Sequence, residues 1–125
     1  MISLITFFTI ILVHYFADFI MQDEKWALGK SKNPYDLTIH VGVYTLCWVI
    51  PANLLLSYNF VWFVLVTFIA HWFTDYFTSR IVSKKFENKH YGSPIPNLGA
   101  FSVIGFDQVL HYTQLILTYY FLRPL

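Results

Sequence analysis

The chain has 125 residues, of which 57% are hydrophobic and only 12% charged, with a net charge of +1 and a mean hydropathy of +0.53. A water-soluble domain carries about 25% charged residues, so composition argues against an ordinary soluble enzyme, and the near-neutral balance argues against nucleic acid as a partner. A lone Cys47 inside an apolar run excludes an internal disulfide and reads as packing.

About 20 apolar residues cross a bilayer as a helix, and four runs have that length: about 2–22, 36–56, 59–80 and 102–122. The first lacks a basic leader segment and is too long for a signal peptide, so it reads as a retained helix. It carries His14-Tyr15-Phe16-Ala17-Asp18-Phe19 and then Gln22. A polar connector, about 23–35, holds Lys25, Lys30 and Lys32. The second run opens on Asp36 and His40 and contains Pro51, which should kink it or end it early. Asp36 follows Asn33-Pro34-Tyr35 and reads more readily as an N-cap than as a ligand. A turn near Ser57-Tyr58-Asn59 leads to the third run, with His71-Trp72-Phe73-Thr74-Asp75-Tyr76 and Arg80 at its end. The connector 81–101 is polar up to His90 and rich in turn formers from Gly92 to Gly99, which suits a linker or a lid. The fourth run carries Asp107, Gln108 and His111, and its Tyr119 and Tyr120, with Trp62, fit an interfacial aromatic belt.

The expected fold is all-α: a transmembrane four-helix bundle forming a single integral membrane domain over 1–125. Seven of the eight basic residues, all but Arg123, fall at the same ends of the four runs. The positive-inside rule makes that side cytoplasmic and leaves both termini outside. The His-x-x-x-Asp motifs at 14 and 71 are offset by 71 − 14 = 57 residues, and each is followed on the next run by Asp-x-x-x-His, at 36/40 and 107/111. That pattern describes two parallel-repeat helical hairpins related by an axis along the membrane normal.

Residues four apart share a helix face, so each motif presents its imidazole and carboxylate together. An ionised residue at mid-membrane costs about 2.5–3.5 kcal/mol, so Asp18, Asp75 and Asp107 represent roughly 7–10 kcal/mol that the folded state must offset. Imidazole and carboxylate are the usual ligands of Zn, Fe and Mn. The expected ligand set for one or two divalent ions is His14, Asp18, His40, His71, Asp75, Asp107 and His111. Asp18, Asp75 and Asp107 would also serve as bridges or bases, and Gln22, Gln108 and Arg80 would orient an anionic substrate.

His14-x-x-x-Asp18-Phe19-x-x-Gln22, His40, His71-x-x-x-Asp75 and Asp107-Gln108-x-x-His111 resemble a family of small bacterial and phage membrane proteins, domain of unknown function 3307. The resemblance spans nearly the whole chain. It implies an inner-membrane location and no established activity. The same residues look loosely like those of membrane-bound metal-dependent hydrolases, an analogy of ligand type. The expected function is a metal-dependent hydrolase in the bacterial inner membrane. Its site would open to the cytoplasm and act on a phosphate- or ester-containing lipid or nucleotide. The partners would be the lipid bilayer and an anionic small molecule or lipid headgroup, and a chain this small lends itself to homo-oligomers. The alternatives are a metal-ion or proton transporter, and a non-catalytic membrane effector stapled by its His/Asp cluster.

Overall fold

A computed structural model describes residues 1–125 and contains helices and no strands. Helix α1 (Leu4–Tyr15) runs on into a π-helical segment (Phe16–Ile20). Helix α2 is short (Glu24–Gly29), and α3 (Pro34–Leu56), α4 (Phe60–Glu87) and α5 (Ala100–Leu122) are long. The helix starts follow from side-chain caps. The Ser3 hydroxyl accepts from the Thr6 amide at 3.1 Å, Asp23 accepts from Lys25 at 2.8 Å, and Asn33 accepts from Tyr35 at 2.9 Å with Pro34 in the first turn of α3. Asn33 is therefore the N-cap. Asp36 lies inside the first turn, buried against Gly29.

Two expectations about the elements need correction. Pro51 does not end its helix, because α3 continues to Leu56 and turns at Ser57, which holds φ 52°. The third helix does not stop near 80. Its hydroxyl- and lysine-bearing end stays helical to Glu87 and closes with Lys89 at φ 54°, the His90 amide donating to Lys85 and the Lys89 amide to Phe86. The connector before α5 folds back on itself: its Gly92 carbonyl accepts from Gly99, and the His90 and Tyr91 carbonyls accept from Ala100 and Phe101.

α1 packs on α3 and α5, and α4 packs on the other side of both, so the four long helices form a closed ring. Trp72 ties α4 to α3 through the Thr38 hydroxyl (3.0 Å), and Gln114 ties α5 to α4 through Thr67 (3.1 Å). Asn59, in the turn between α3 and α4, donates to the Leu122 carbonyl at the end of α5 (2.7 Å), so both lie at one end of the ring. Near that end Ile10, Trp48, Ala52, Leu56, Phe63 and Leu115 fill the interior. Toward the other end the interior is polar.

Polar side chains take an unusually large share of the interior. Of 24 buried residues, twelve are polar or charged, among them four of the five histidines, while large apolar side chains face outward. Leu46, Ile50 and Leu54 form one such outer stripe on α3, each at least 71% exposed. By length and composition, one helical stretch suffices to cross a membrane: Pro34–Glu87, α3 and α4 taken through their turn. Leu4–Ile20 is apolar but shorter, and α5 is diluted by Asp107, Gln108, His111 and Gln114. The structure thus has the four main helices expected, the first of them shorter than expected, and the four separate membrane-length apolar spans reduce to that one stretch.

Candidate metal centre

The polar interior is built by five segments. The π-helical turn carries Asp18, the turn after α2 carries Lys30, and α3 carries His40. α4 carries His71 and Asp75 one turn apart, and α5 carries Asp107 and His111 in the same relation. A π turn accommodates one more residue than an α turn and is often found at functional sites. Here both Ala17 and Asp18 point inward from it.

Asp18, His40, His71 and Asp75 form one compact set, with one ligand atom from each lying within 4.8 Å of the others. His40 Nε2 is 3.1 Å from Asp18 Oδ1, 3.2 Å from Asp75 Oδ2 and 3.3 Å from His71 Nε2. His71 Nε2 is 3.6 Å from Asp18 Oδ1 and 3.5 Å from Asp75 Oδ2. Four donors placed tetrahedrally around an ion at 2.0–2.1 Å are about 3.3 Å apart. These five separations, 3.1–3.6 Å, bracket that value. Asp18 Oδ1 is buried with the His40 imidazole, 3.1 Å away, beside it, and the His40 and His71 Nε2 atoms face each other. A shared cation would suit this arrangement. These buried groups are therefore able to hold a metal ion.

Around this set lies a second layer. His111 Nε2 sits 3.0 Å from Asp75 Oδ1 and 3.2 Å from Asp107 Oδ2, as an imidazole N–H shared between two carboxylates does. With Asp18, these residues make a second group of ligand type, Asp18, Asp107 and His111, sharing Asp18 with the first. The Thr78 hydroxyl donates to Asp107 Oδ1, and Gln108 Nε2 donates to Asp107 Oδ2 at 3.0 Å. That fixes the Gln108 amide, so its oxygen faces His14 Nε2 at 2.7 Å and accepts from it. His14 Nδ1 is then the acceptor for the Tyr44 hydroxyl, 2.8 Å away. His14 spends both nitrogens on hydrogen bonds and belongs to neither ligand group. His71 is sandwiched between the Tyr44 ring (3.8 Å, 21°) and the His111 ring (4.0 Å, 18°).

A family model described as protein of unknown function (DUF3307) matches residues 6–125. The chain belongs to that family. No curated protein and no solved structure is significantly similar to it.

In this DUF3307 chain the polar floor opens into a cavity of about 580 Å³ at the lysine-bearing end, reached past Gln22, Lys30, Lys32, Ser79 and Gln108. Asp18 and Asp107 line it, whereas His40, His71 and Asp75 lie behind them. Gln22 and Gln108 therefore flank the site. Arg80 does not: its guanidinium lies 3.6 Å over the Tyr76 ring and donates to the Tyr76 carbonyl, away from the cavity. Asp36 stands apart, held against Gly29.

Sequence reasoning missed Lys30. Its Nζ reaches down from the turn after α2 to bond Asp75 Oδ2 at 2.9 Å. Burial weighs against the ammonium, but the Asp75 and Asp18 carboxylates outweigh it and raise the Lys30 pKa above the ordinary lysine value. Tyr44 and Thr78 were missed as well. Their spacing gave a signal: Tyr44 lies one turn beyond His40, and Thr78 three residues beyond Asp75.

Proposed function

We propose that this protein is a membrane-embedded, metal-dependent hydrolase of the bacterial inner membrane, worked from its cytoplasmic end and acting on a phosphate- or ester-containing substrate. The observation that carries the reading is the four-donor set beneath a cavity open at one end. The apolar exterior and polar interior suit a lipid surround, where the core must hold what lipid rejects. The crowding of seven of eight basic residues at the cavity end favours a cytoplasmic opening.

Charge favours one ion. With the histidines neutral, as metal ligands are, Asp18, Asp75 and Asp107 against Lys30 leave two negative charges, which one divalent cation balances. His40, His71 and Asp75 are a two-imidazole, one-carboxylate set shielded from the cavity, and Asp18 is the donor on the cavity face, where an exchangeable position belongs. Nitrogen and oxygen donors in that ratio suit Zn, Fe or Mn. When bound, such an ion supplies Lewis acidity toward a phosphoryl or acyl oxygen and toward water. Asp107 lies outside the four-donor set and faces the cavity, with Thr78, Gln108 and His111 fixing both its oxygens, so it is placed to take the proton of an attacking water. Gln22 and Lys32 at the rim hold the substrate's polar end.

The test is metal analysis of purified protein in detergent, coupled to turnover of p-nitrophenyl esters and phosphodiesters. Wild type should carry about one Zn, Fe or Mn per chain; His71→Ala should lose it, and Asp107→Asn should keep it while losing turnover. Absence of all three metals, or full retention in His71→Ala, sinks the proposal.

A structural staple is the second reading, favoured by the fact that four protein donors can close a tetrahedral site without water. On that reading Asp107→Asn changes nothing that stability does not explain. A transport route is disfavoured, since Trp48, Leu56, Phe63 and Leu115 plug the far end.

A further inference from the structure

The walls of the cavity say more about the substrate than its floor does. Part of the lining is polar, with Lys32, Ser79 and Gln22 among it, and Ser79 Oγ and Gln22 Oε1 pair with no other protein group. Both are therefore free to hydrogen-bond to whatever enters the cavity, water or ligand. Another part is apolar and includes Phe19, Leu28 and Phe86. These side chains are 46%, 67% and 40% exposed, so the apolar part of the lining reaches the surface of the bundle.

We infer that the cavity binds an amphiphile with an anionic phosphate head and an alkyl tail. The head pairs with Lys32, Ser79 and Gln22 above the ligand set, and the tail leaves along Phe19, Leu28 and Phe86 toward the outside of the helix ring. This inference rests on the hydrolase reading for what happens to the head, and narrows its substrate to lipid-like phosphates. A nucleotide fits less well, because it would lay a polar sugar and base edge along that apolar exit. A volume of about 580 Å³ holds a headgroup and the first part of a chain, which lies within the 300–1,000 Å³ typical of small-ligand sites.

The experiment is a thermal-unfolding titration of the full chain in a neutral maltoside detergent. The ligands are octyl phosphate, butyl phosphate, inorganic phosphate, adenosine monophosphate and octyltrimethylammonium, and metal content is measured on the same samples. Octyl phosphate should bind about tenfold or more tightly than inorganic phosphate, with butyl phosphate between them, since each buried methylene adds affinity. Lys32→Gln should weaken both alkyl phosphates, and Leu28→Ser, at a mostly exposed position, should erase the advantage of the longer chain. Phe86→Ser gives the same reading should Leu28→Ser fail to fold. Equal binding of octyl and inorganic phosphate overturns the tail, equal binding of octyltrimethylammonium overturns the anionic head, and tighter binding of the nucleotide overturns both. Metal-free protein that keeps the ranking refutes the hydrolase reading alone; metal-loaded protein without it refutes the amphiphile alone.

Discussion

His14 and His71 open the same His-x-x-x-Asp motif, yet they do different work. His71 turns Nε2 into the four-donor set and is clamped between two rings, whereas His14 is consumed by Tyr44 and Gln108. Replacing His71 by Ala should therefore abolish metal retention, while His14→Ala should keep near-wild-type metal content and lose stability by about 1–3 kcal/mol for the buried partners left unpaired. Elemental analysis together with a detergent melting curve separates the two. Lys30 gives a sharper case. Lys30→Met leaves Asp75 without its ammonium, and removing one partner of a buried pair costs roughly 3–5 kcal/mol. The Lys30 side chain keeps 18% exposure, which puts the loss at the lower end of that range. Added Zn or Mn should recover much of it, because the ion supplies the missing positive charge; equal destabilisation with and without metal would refute the charge balance drawn above. The pH dependence has a definite sign. A lysine whose folded pKa is raised contributes stability that is fully present below its unfolded value and is lost only as pH rises through the folded one. The stability gap between wild type and Lys30→Met should accordingly stay flat from pH 7 to 9 and close only above the ordinary lysine value of 10.5.

At the scale of elements, the periodic features were legible in the sequence and the departures from periodicity were not. Spacing of four placed three of the four imidazoles beside their own carboxylates: His14–Asp18, His71–Asp75 and His111–Asp107 lie 3.6, 3.5 and 3.2 Å apart, whereas His40 bonds Asp18 and Asp75 and not Asp36. What spacing could not convey is how the two halves differ. The internal repeat makes Asp36 the counterpart of Asp107, but Thr78 and Gln108 hold Asp107 at the floor while Asp36 packs on Gly29. A π turn at 16–20 and a six-residue helix inside a presumed loop leave no mark on hydrophobic periodicity, and α2 is the element that delivers Lys30. The helical extension to Glu87 was hidden because lysines in a last turn look like loop composition, although they complement the carbonyl end of the helix dipole. The docking of α2 rests on Gly29, where any Cβ would collide with the Asp36 carboxylate. Gly29→Ala should cost about 1–3 kcal/mol through overpacking, offset in part by its better helix propensity of about 1 kcal/mol. The double variant Gly29→Ala/Asp36→Ala should regain most of the loss, as a double-mutant cycle on melting curves would register. Additive losses would mean that this contact does not hold α2 in place.

At the scale of the whole molecule, the surroundings of the helix ring matter most. An interior of imidazoles and carboxylates with leucines, isoleucines and phenylalanines outside is unfavourable in water, since large exposed apolar surface drives association. In lipid the same arrangement is favourable on both counts: the apolar face is solvated by acyl chains, and the polar groups satisfy one another inside. Orientation is the part most open to direct measurement. In a Cys47→Ala background, Tyr58→Cys reports on the turn between α3 and α4, and Lys84→Cys reports on the cavity end of α4; wild-type Tyr58 is 81% exposed, so its substitution should leave the fold intact. With sealed cells, an impermeant maleimide should label Tyr58→Cys and spare Lys84→Cys until the membrane is permeabilised. The reverse pattern would place the cavity outside and remove any cytoplasmic substrate from consideration. Labelling of both positions in sealed cells, or recovery of the chain in the soluble fraction, would remove the membrane itself from the proposal and leave the outward leucines to be covered by copies of the same chain.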